Sequence, residues 1–161
     1  MNGVTIRELR EGEIPLLTDF LYEAIYVPEG MAPPPRAIVE EDALQVYVRG
    51  FGSQPADTAC VAEQGGSVVG AAWARITDDY GHLDNDTPSL AIALKPEQRG
   101  QGIGTALLRA LLAALHARGH AAASLSVRKA NPAARLYARL GFITVRESSE
   151  EAIMRCALPV R

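Results

Sequence analysis

Gly100, Gly102 and Gly104 alternate with Gln101 and Ile103 in the run Gln98-Arg99-Gly100-Gln101-Gly102-Ile103-Gly104-Thr105. Glycines at this spacing let a backbone turn tightly and come close to a ligand. The apolar periodicity that starts at Ile103 predicts a helix whose first-turn N–H groups lack intrahelical acceptors. Those donors, the positive end of the helix dipole and the Arg99 guanidinium suit a pyrophosphate. Residue order excludes two nucleotide loops. The mononucleotide P-loop ends in Lys-Ser/Thr, whereas Thr105 follows Gly104 directly with no Lys before it. The dinucleotide fingerprint Gly-x-Gly-x-x-Gly needs a wider second gap. A flexible turn before a helix is the plain alternative for one Gly-rich loop taken alone.

A second candidate segment is Asn131-Pro132-Ala133-Ala134-Arg135-Leu136-Tyr137-Ala138-Arg139-Leu140-Gly141-Phe142. Asn131 and Pro132 open a helix as cap and first residue, and Gly141 closes it. Other groupings carry less. His116 and His120 have the spacing of a helical metal pair, but Gly119 falls between them where the helix should stop, so no metal is expected. Cys60 and Cys156 sit in strand-like runs without ligand spacing and read as buried thiols. Asp78, Asp79, Asp84 and Asp86 crowd the segment Thr77 to Pro88, yet their order lacks the Gly and Glu positions of a Ca²⁺ loop.

The elements that must carry these residues follow from periodicity. Val4 to Leu9 alternates as a first strand; Ile14, Leu17, Leu21, Ala24 and Ile25 mark a helix ended by Pro28 and Pro33 to Pro35. Ile38 to Val48 predicts a second helix closed by Gly50 and Gly52. Thr58 to Glu63 and Ser67 to Ile76 pair across Gln64-Gly65-Gly66 as a hairpin. Thr77 to Pro88 is an acidic loop, solvated or lining a site, and Ser89 to Leu94 a buried strand. Ile103, Leu107, Leu111 and Leu115 form the core stripe of the next helix, which Gly119 stops. Ala122 to Val127 is a further strand, and Ile143 to Glu147 with Ile153 to Leu158 close the sheet. No internal repeat appears.

The 161 residues fit one domain, 1–161, able to bury about two-thirds of its unfolded surface. The charged N-terminal residues lack the apolar core of a signal peptide, and Ala110 to Ala117 is too short to span a bilayer; a soluble, cytoplasmic protein is expected. The net charge of −3 conceals opposite halves. Residues 1–90 hold 5 Lys/Arg against 15 Asp/Glu, a balance of −10, and residues 91–161 hold 11 against 4, a balance of +7. A polyanion suits the second half and a cation the first. No basic patch with interleaved aromatics supports nucleic acid as a partner.

Together, and in this order, the two segments resemble the GNAT family of acyl-CoA-dependent N-acyltransferases. Arg99, Gly102 and Gly104 match the Gln/Arg-x-x-Gly-x-Gly/Ala motif. Asn131, Ala134, Leu136, Tyr137, Gly141 and Phe142 are similar to the family's Asn-x-x-Ala-x-x-Leu-Tyr-x-x-x-Gly-Phe, with one residue fewer between Ala134 and Leu136. The order of elements agrees from Val4 to Leu158, although residues 1–88 carry no specific motif. The resemblance implies an α/β (α+β) fold: a mixed, strongly bent sheet of six or seven strands, about four helices, and a V-shaped cleft between the fourth and fifth strands. Acetyl-CoA would lie there as co-substrate, without a metal. Ile92, Ala93 and Leu94 would meet its pantetheine arm, while Arg99, Gly100, Gln101, Gly102, Ile103, Gly104 and Thr105 would hold its pyrophosphate. An unpaired strand edge supplies donors and acceptors at the spacing of an amide-rich arm.

Acyl transfer from a thioester needs a neutral amine, a donor to the developing oxyanion and a proton for the departing thiolate. Tyr137 is the candidate for the last, since a phenol of pKa about 10 can donate to a thiolate whose thiol lies near about 8.5. A core tyrosine is the alternative. Asn131 is a cofactor contact as well as a cap, and a backbone N–H near Leu94 the oxyanion donor. Glu23, on an otherwise apolar helix, is the first candidate general base, with Asp84 and His82 in the acidic loop behind it. Glu23 reads equally as a solvent-facing helical residue.

The acidic first half suggests a cationic small-molecule amine as acceptor, with Tyr22, Tyr26, Tyr47 and Trp73 as a stacking wall or as core. Protein N-terminal or lysine acetylation is one alternative, and a non-catalytic acyl-CoA-binding regulatory module another. Neither a membrane nor nucleic acid is expected as a partner, and a homodimer is left open.

Overall fold

The computed structural model describes residues 3–160, so residues 1, 2 and 161 of the expected 1–161 domain lie outside the described residues. Seven strands form one sheet: β1 (Val4–Glu8), β2 (Thr58–Gln64), β3 (Ser67–Arg75), β4 (Ser89–Leu94), β5 (Ala122–Arg128), β6 (Ile143–Glu147) and β7 (Glu151–Ala157). Four helices flank it: α1 (Leu16–Ala24), α2 (Asp42–Gln45), α3 (Ile103–Ala117) and α4 (Ala133–Arg139). The strand order is β1-β2-β3-β4-β5-β7-β6.

Period-two alternation sorts the central strands between two apolar layers. Ala71 and Trp73 of β3 join Leu17, Phe20 and Leu21 of α1, whereas Ala72 and Ala74 join the α3 side. Helix α3 turns Ile103, Leu107, Leu108, Leu111, Leu112 and Leu115 into that second layer, all at or below 1% exposure. Each such leucine contributes roughly 2 kcal/mol of apolar burial, which fixes the helix and hence the loop at its start. At Gly70 an added Cβ would overlap the Leu94 side chain, so β3 and β4 pack closely there.

Every neighbouring pair is antiparallel except β4 and β5, which run parallel and share one partnered position, Ser89 with Ser124. Beyond it the strands diverge, leaving Leu90–Leu94 unpaired on that side and opening a cleft inside the sheet. The expected mixed sheet of six or seven strands is thus present with seven, split between the fourth and fifth strands.

The region 38–48 departs from the predicted single helix. A 3-10 turn covers Arg36–Glu40, Glu41 is extended (φ −62°, ψ 141°), and α2 has only four residues. The Gln45 side chain donates to Val39 O at 2.7 Å, giving that carbonyl the partner a continuous helix would have supplied. Trp73 is core and does not form a cleft wall: it is 1% exposed, with its indole N–H on Tyr47 O at 3.0 Å.

Candidate active site

The Gly-rich loop lies past the end of β4. A 3-10 turn, Pro96–Gln98, leads into Arg99 in extended conformation; Gly100 and Gly102 then take φ of 78° and 84°. Both values lie in the left-handed region, where a side chain would strain the backbone. No atom lies within 4 Å of the Cβ either glycine lacks, so open space stands in front of the turn. Among the described residues, no backbone acceptor receives the N–H of Gly100, Gln101 or Gly102, and Ala106 is the first to reach back, to Gly102 O at 3.2 Å. With the first-turn N–H groups of Ile103, Gly104 and Thr105, a concave set of donors sits at the positive end of a 15-residue helix. The arrangement fits a pyrophosphate.

Arg99 stands over this loop with a partner. Its Nη2 lies 3.2 Å from Glu23 Oε2, 3.3 Å from Glu23 O and 3.5 Å from Leu94 O. Glu23, at the end of α1, therefore meets Arg99 of the Gly-rich loop, and it is absent from the residues lining the cleft.

The cleft encloses about 370 Å³, with Ala91, Ile92, Ser126, Arg128, Asn131 and Tyr137 among its walls. Ala93, Leu94 and the loop 99–105 fall outside that lining, at and beyond the C-terminal end of β4. Asn131 does two things at once. Its Oδ1 caps α4 by accepting Ala133 N–H at 2.9 Å, and its residue borders the cleft.

Local backbone chemistry explains how Tyr137 is set. At the end of α4, Gly141 takes φ of 105°, its N–H bonds Ala138 O at 3.1 Å, and Phe142 N–H bonds Tyr137 O at 3.0 Å. This pair of bonds is a Schellman motif, and the accompanying apolar contact is the edge-on pair of Tyr137 and Phe142, centroids 6.1 Å apart. The spacing Leu-Tyr-x-x-x-Gly-Phe is the sequence form of that motif. Tyr137 is 9% exposed, and burial alone pushes its hydroxyl up to about 12, so it stays protonated and can donate.

Tyr26, Tyr47 and Tyr80 also line the cleft, together with the exposed residues Glu41 and Glu151. Tyr26 Oη donates to Ala130 O at 3.2 Å, joining the segment after α1 to the segment before α4. Tyr22 is turned elsewhere: its hydroxyl bonds Pro34 O at 2.6 Å and its ring lies under Arg36. The acidic loop reaches the fork between β4 and β5, where Ser124 Oγ donates to Gly81 O at 2.7 Å. There Asp79 Oδ1 accepts Gly81 N–H at 3.0 Å, while Asp79 Oδ2, His82 Nδ1 and Ser89 Oγ are buried with no partner of hydrogen-bonding geometry among the described residues. Periodicity carries no sign of this cluster, because loop 77–88 has no period and its partner Ser89 lies on a strand. Asp84 is exposed and accepts Asp86 N–H at 2.9 Å in a local turn.

Cys60 and Cys156 are free and buried; burial raises both thiols, Cys60 to about 11, which removes them as nucleophiles. No cluster of three or more metal-ligating residues occurs among the described residues, and no helix there is long and apolar enough to cross a membrane.

Residues 21–142 match the family model of the acetyltransferase (GNAT) family, and the chain belongs to that family. Over 84 residues it is 39% identical to a mycothiol acetyltransferase of Thermobispora bispora, an alignment covering 51% of this chain and 28% of that protein. The chain thus spans less than a third of that curated relative. Among solved structures, the ribosomal-protein-S18-alanine N-acetyltransferase of Escherichia coli superposes with a TM-score of 0.65 at 22% identity, covering 98% of this chain and 96% of that one. A PaiA N-acetyltransferase of Thermoplasma acidophilum, crystallised with coenzyme A, gives 0.68 at 20% identity, covering 96% and 98%. At these identities the two structures speak to the fold.

Proposed function

We propose that this protein transfers an acetyl group from acetyl-CoA to a primary amine of a small cationic molecule, by direct attack within a ternary complex. The observation that carries the reading is the placement of Tyr137 in a cleft flanked by the unpaired edge of β4, next to the N–H cradle of Gly100 to Thr105. When bound, acetyl-CoA supplies a thioester as acyl donor.

The chain's own residues have separable tasks. The N–H groups of Gly100, Gln101, Gly102, Ile103, Gly104 and Thr105 hold the pyrophosphate, with Arg99 adding charge. The free side of Ile92, Ala93 and Leu94 binds the pantetheine arm through backbone groups, and an N–H near Leu94 donates to the developing oxyanion. Asn131 keeps α4 in place and contacts the cofactor from the facing wall. Tyr137 Oη donates its proton to the departing thiolate, having stayed protonated until that step, and is reprotonated from solvent, which takes up the proton that the acceptor amine loses. Glu23 holds Arg99 over the phosphate loop, since its carboxylate is engaged there.

Support for a cationic acceptor comes from the cleft's charges. Glu41 and Glu151 border it, while the nearby Arg128 has Glu150 at 3.9 Å. Tyr26, Tyr47 and Tyr80 offer ring faces beside those carboxylates. The test is a panel of diamines, aminoglycosides, neutral amines, amino acids and free-N-terminal peptides, scored by kcat/KM. The account expects the small cationic amines to lead. Preference for peptides would move the acceptor to protein N-termini, and acetyl-CoA binding with no acceptor at all would favour a regulatory module.

A further inference from the structure

Strands β5 and β7 bring two opposite charges side by side at the cleft. In their antiparallel register Arg128 stands directly against Glu151, and both residues line the cleft. Directly opposed positions carry Cβ atoms about 5 Å apart on one face of the sheet, where opposite charges ordinarily pair with each other. Here they do not. Among the described residues the Arg128 guanidinium makes one ion pair, with Glu150 at 3.9 Å, and no hydrogen bond; the Glu151 carboxylate makes neither.

The backbone fixes both positions. Glu151 N–H donates to Ser148 Oγ at 3.1 Å and Glu151 O accepts Ser148 N–H at 2.9 Å, closing the turn from β6 into β7. Next to Arg128, Lys129 N–H donates to Glu150 O at 2.8 Å, and the Lys129 ammonium pairs with Glu147 at 3.2 Å. The flanking charges are thus paired, while those at the cleft stay open. At 3.9 Å, Glu150 is too far for a hydrogen bond; with its side chain 75% exposed, it offsets the Arg128 charge through solvent and leaves the guanidinium donors free. Ser126 precedes Arg128 by two residues on the same face of β5. It lines the cleft, half-buried, and its hydroxyl has no partner among the described residues.

A guanidinium and a carboxylate that face one cleft without neutralising each other suit a ligand with both complementary charges close together. An α-amino acid carries them on a single carbon. A simple diamine would engage the Glu151 half alone and leave Arg128 facing a second cation.

We propose that Arg128 and Glu151 select a diamino acid as the acceptor: Arg128, with Ser126 Oγ, takes the α-carboxylate, Glu151 takes the α-ammonium, and the side-chain amine is left to meet the thioester. This deepens the amine acetylation argued above and rests on it. Such an acceptor is cationic overall, with two amines against one carboxylate, in keeping with Glu41 as a further carboxylate at the same cleft.

The experiment compares lysine and ornithine with cadaverine and putrescine, which differ from them only in lacking the carboxylate. It uses wild type, Arg128→Gln, Arg128→Lys and Glu151→Gln; both residues are exposed, so the variants keep the fold. Wild type should favour the amino acids by at least about tenfold in kcat/KM, as a charge-assisted contact allows, and should acetylate the side-chain nitrogen. Arg128→Gln should abolish that preference, chiefly through the KM for the amino acid. Arg128→Lys should restore part of it, keeping the charge and losing the fork. Glu151→Gln should lower kcat/KM for amino acids and diamines alike. Thermal stabilisation by acetyl-CoA should be the same in all four proteins, since the pair takes no part in donor binding. Three results would overturn the assignment while leaving amine acetylation in place: diamines equal to or better than the amino acids in wild type, a preference that survives Arg128→Gln, or weaker stabilisation of that variant by acetyl-CoA. A wild-type protein that binds acetyl-CoA and acetylates no amine would instead remove the underlying reading and the assignment with it.

Discussion

The Glu23 carboxylate lies 3.2 Å from the Arg99 guanidinium, tying the last turn of α1 to the loop that opens α3. The side chains are 24% and 53% exposed, so the pair contributes little to stability, on the order of 0.5 kcal/mol. Its importance is positional: the last turn of α1 is joined to the Gly-rich loop that opens α3. Glu23→Gln should leave kcat within about twofold and change the KM for acetyl-CoA by no more than about threefold. A loss of kcat near 100-fold would instead make Glu23 the general base.

Tyr137→Phe should lower kcat about 100-fold with little change in the KM for acetyl-CoA. Among the described residues its hydroxyl has no hydrogen-bond partner, while the ring keeps its contact with Phe142, so the melting temperature should hold or rise slightly. Steady-state kinetics with parallel thermal melts checks both statements. Equal loss of kcat and stability would mark Tyr137 as a core residue only.

Gly102→Ala adds a side chain at φ of 84°, a strain of about 1–2 kcal/mol. The free loop can relax away from it, and binding must restore the original turn. Calorimetry should show acetyl-CoA bound roughly tenfold more weakly, with small effect on the melt.

Asp79 gives a pH signature with a defined sign. Burial raises its pKa from 3.8 to about 6, so the folded protein keeps a proton that the unfolded chain has already lost. Its contribution to stability is therefore fully present below about 3.8 and disappears as pH rises through about 6. Asp79→Asn should be more stable than wild type at pH 7, by on the order of 1–3 kcal/mol, with the difference vanishing near pH 4. Urea titrations at several pH values measure it.

Asp57→Ala tests a purely structural pair. Arg75 and Asp57 are buried, with Nε to Oδ1 at 3.1 Å and Nη2 to Oδ2 at 3.0 Å, and Arg75 also bonds the Val46 and Arg49 carbonyls. Removing the carboxylate leaves a buried cation, at a cost of about 3–5 kcal/mol and roughly 10 °C in melting temperature.

The parts legible in the sequence are those written by local periodicity and by glycine. The strand alternation, the α3 stripe and the Gly141 helix end each act over a few residues, and each appears in the fold. The split of the sheet was legible only through family resemblance, since nothing in Ser89 to Leu94 or Ala122 to Val127 says where a parallel pair stops pairing. Trp73 and Tyr47 illustrate the limit: an aromatic suits core and wall equally, and only the fold buries Trp73 wholly in the core while letting Tyr47, packed in the same cluster, also border the cleft. The partnership of Glu23 with Arg99 spans 76 residues and leaves no local trace. The Asp79 cluster was hidden among ordinary-looking loop aspartates for the same reason.

The most direct test of the central claim is thiol release from acetyl-CoA, measured with and without a small cationic amine for wild type and Tyr137→Phe. The account predicts amine-dependent release by wild type, a drop of about 100-fold in the variant, and equal thermal stabilisation of both by acetyl-CoA. Stabilisation by acetyl-CoA with no amine-dependent thiol release from wild type would contradict it.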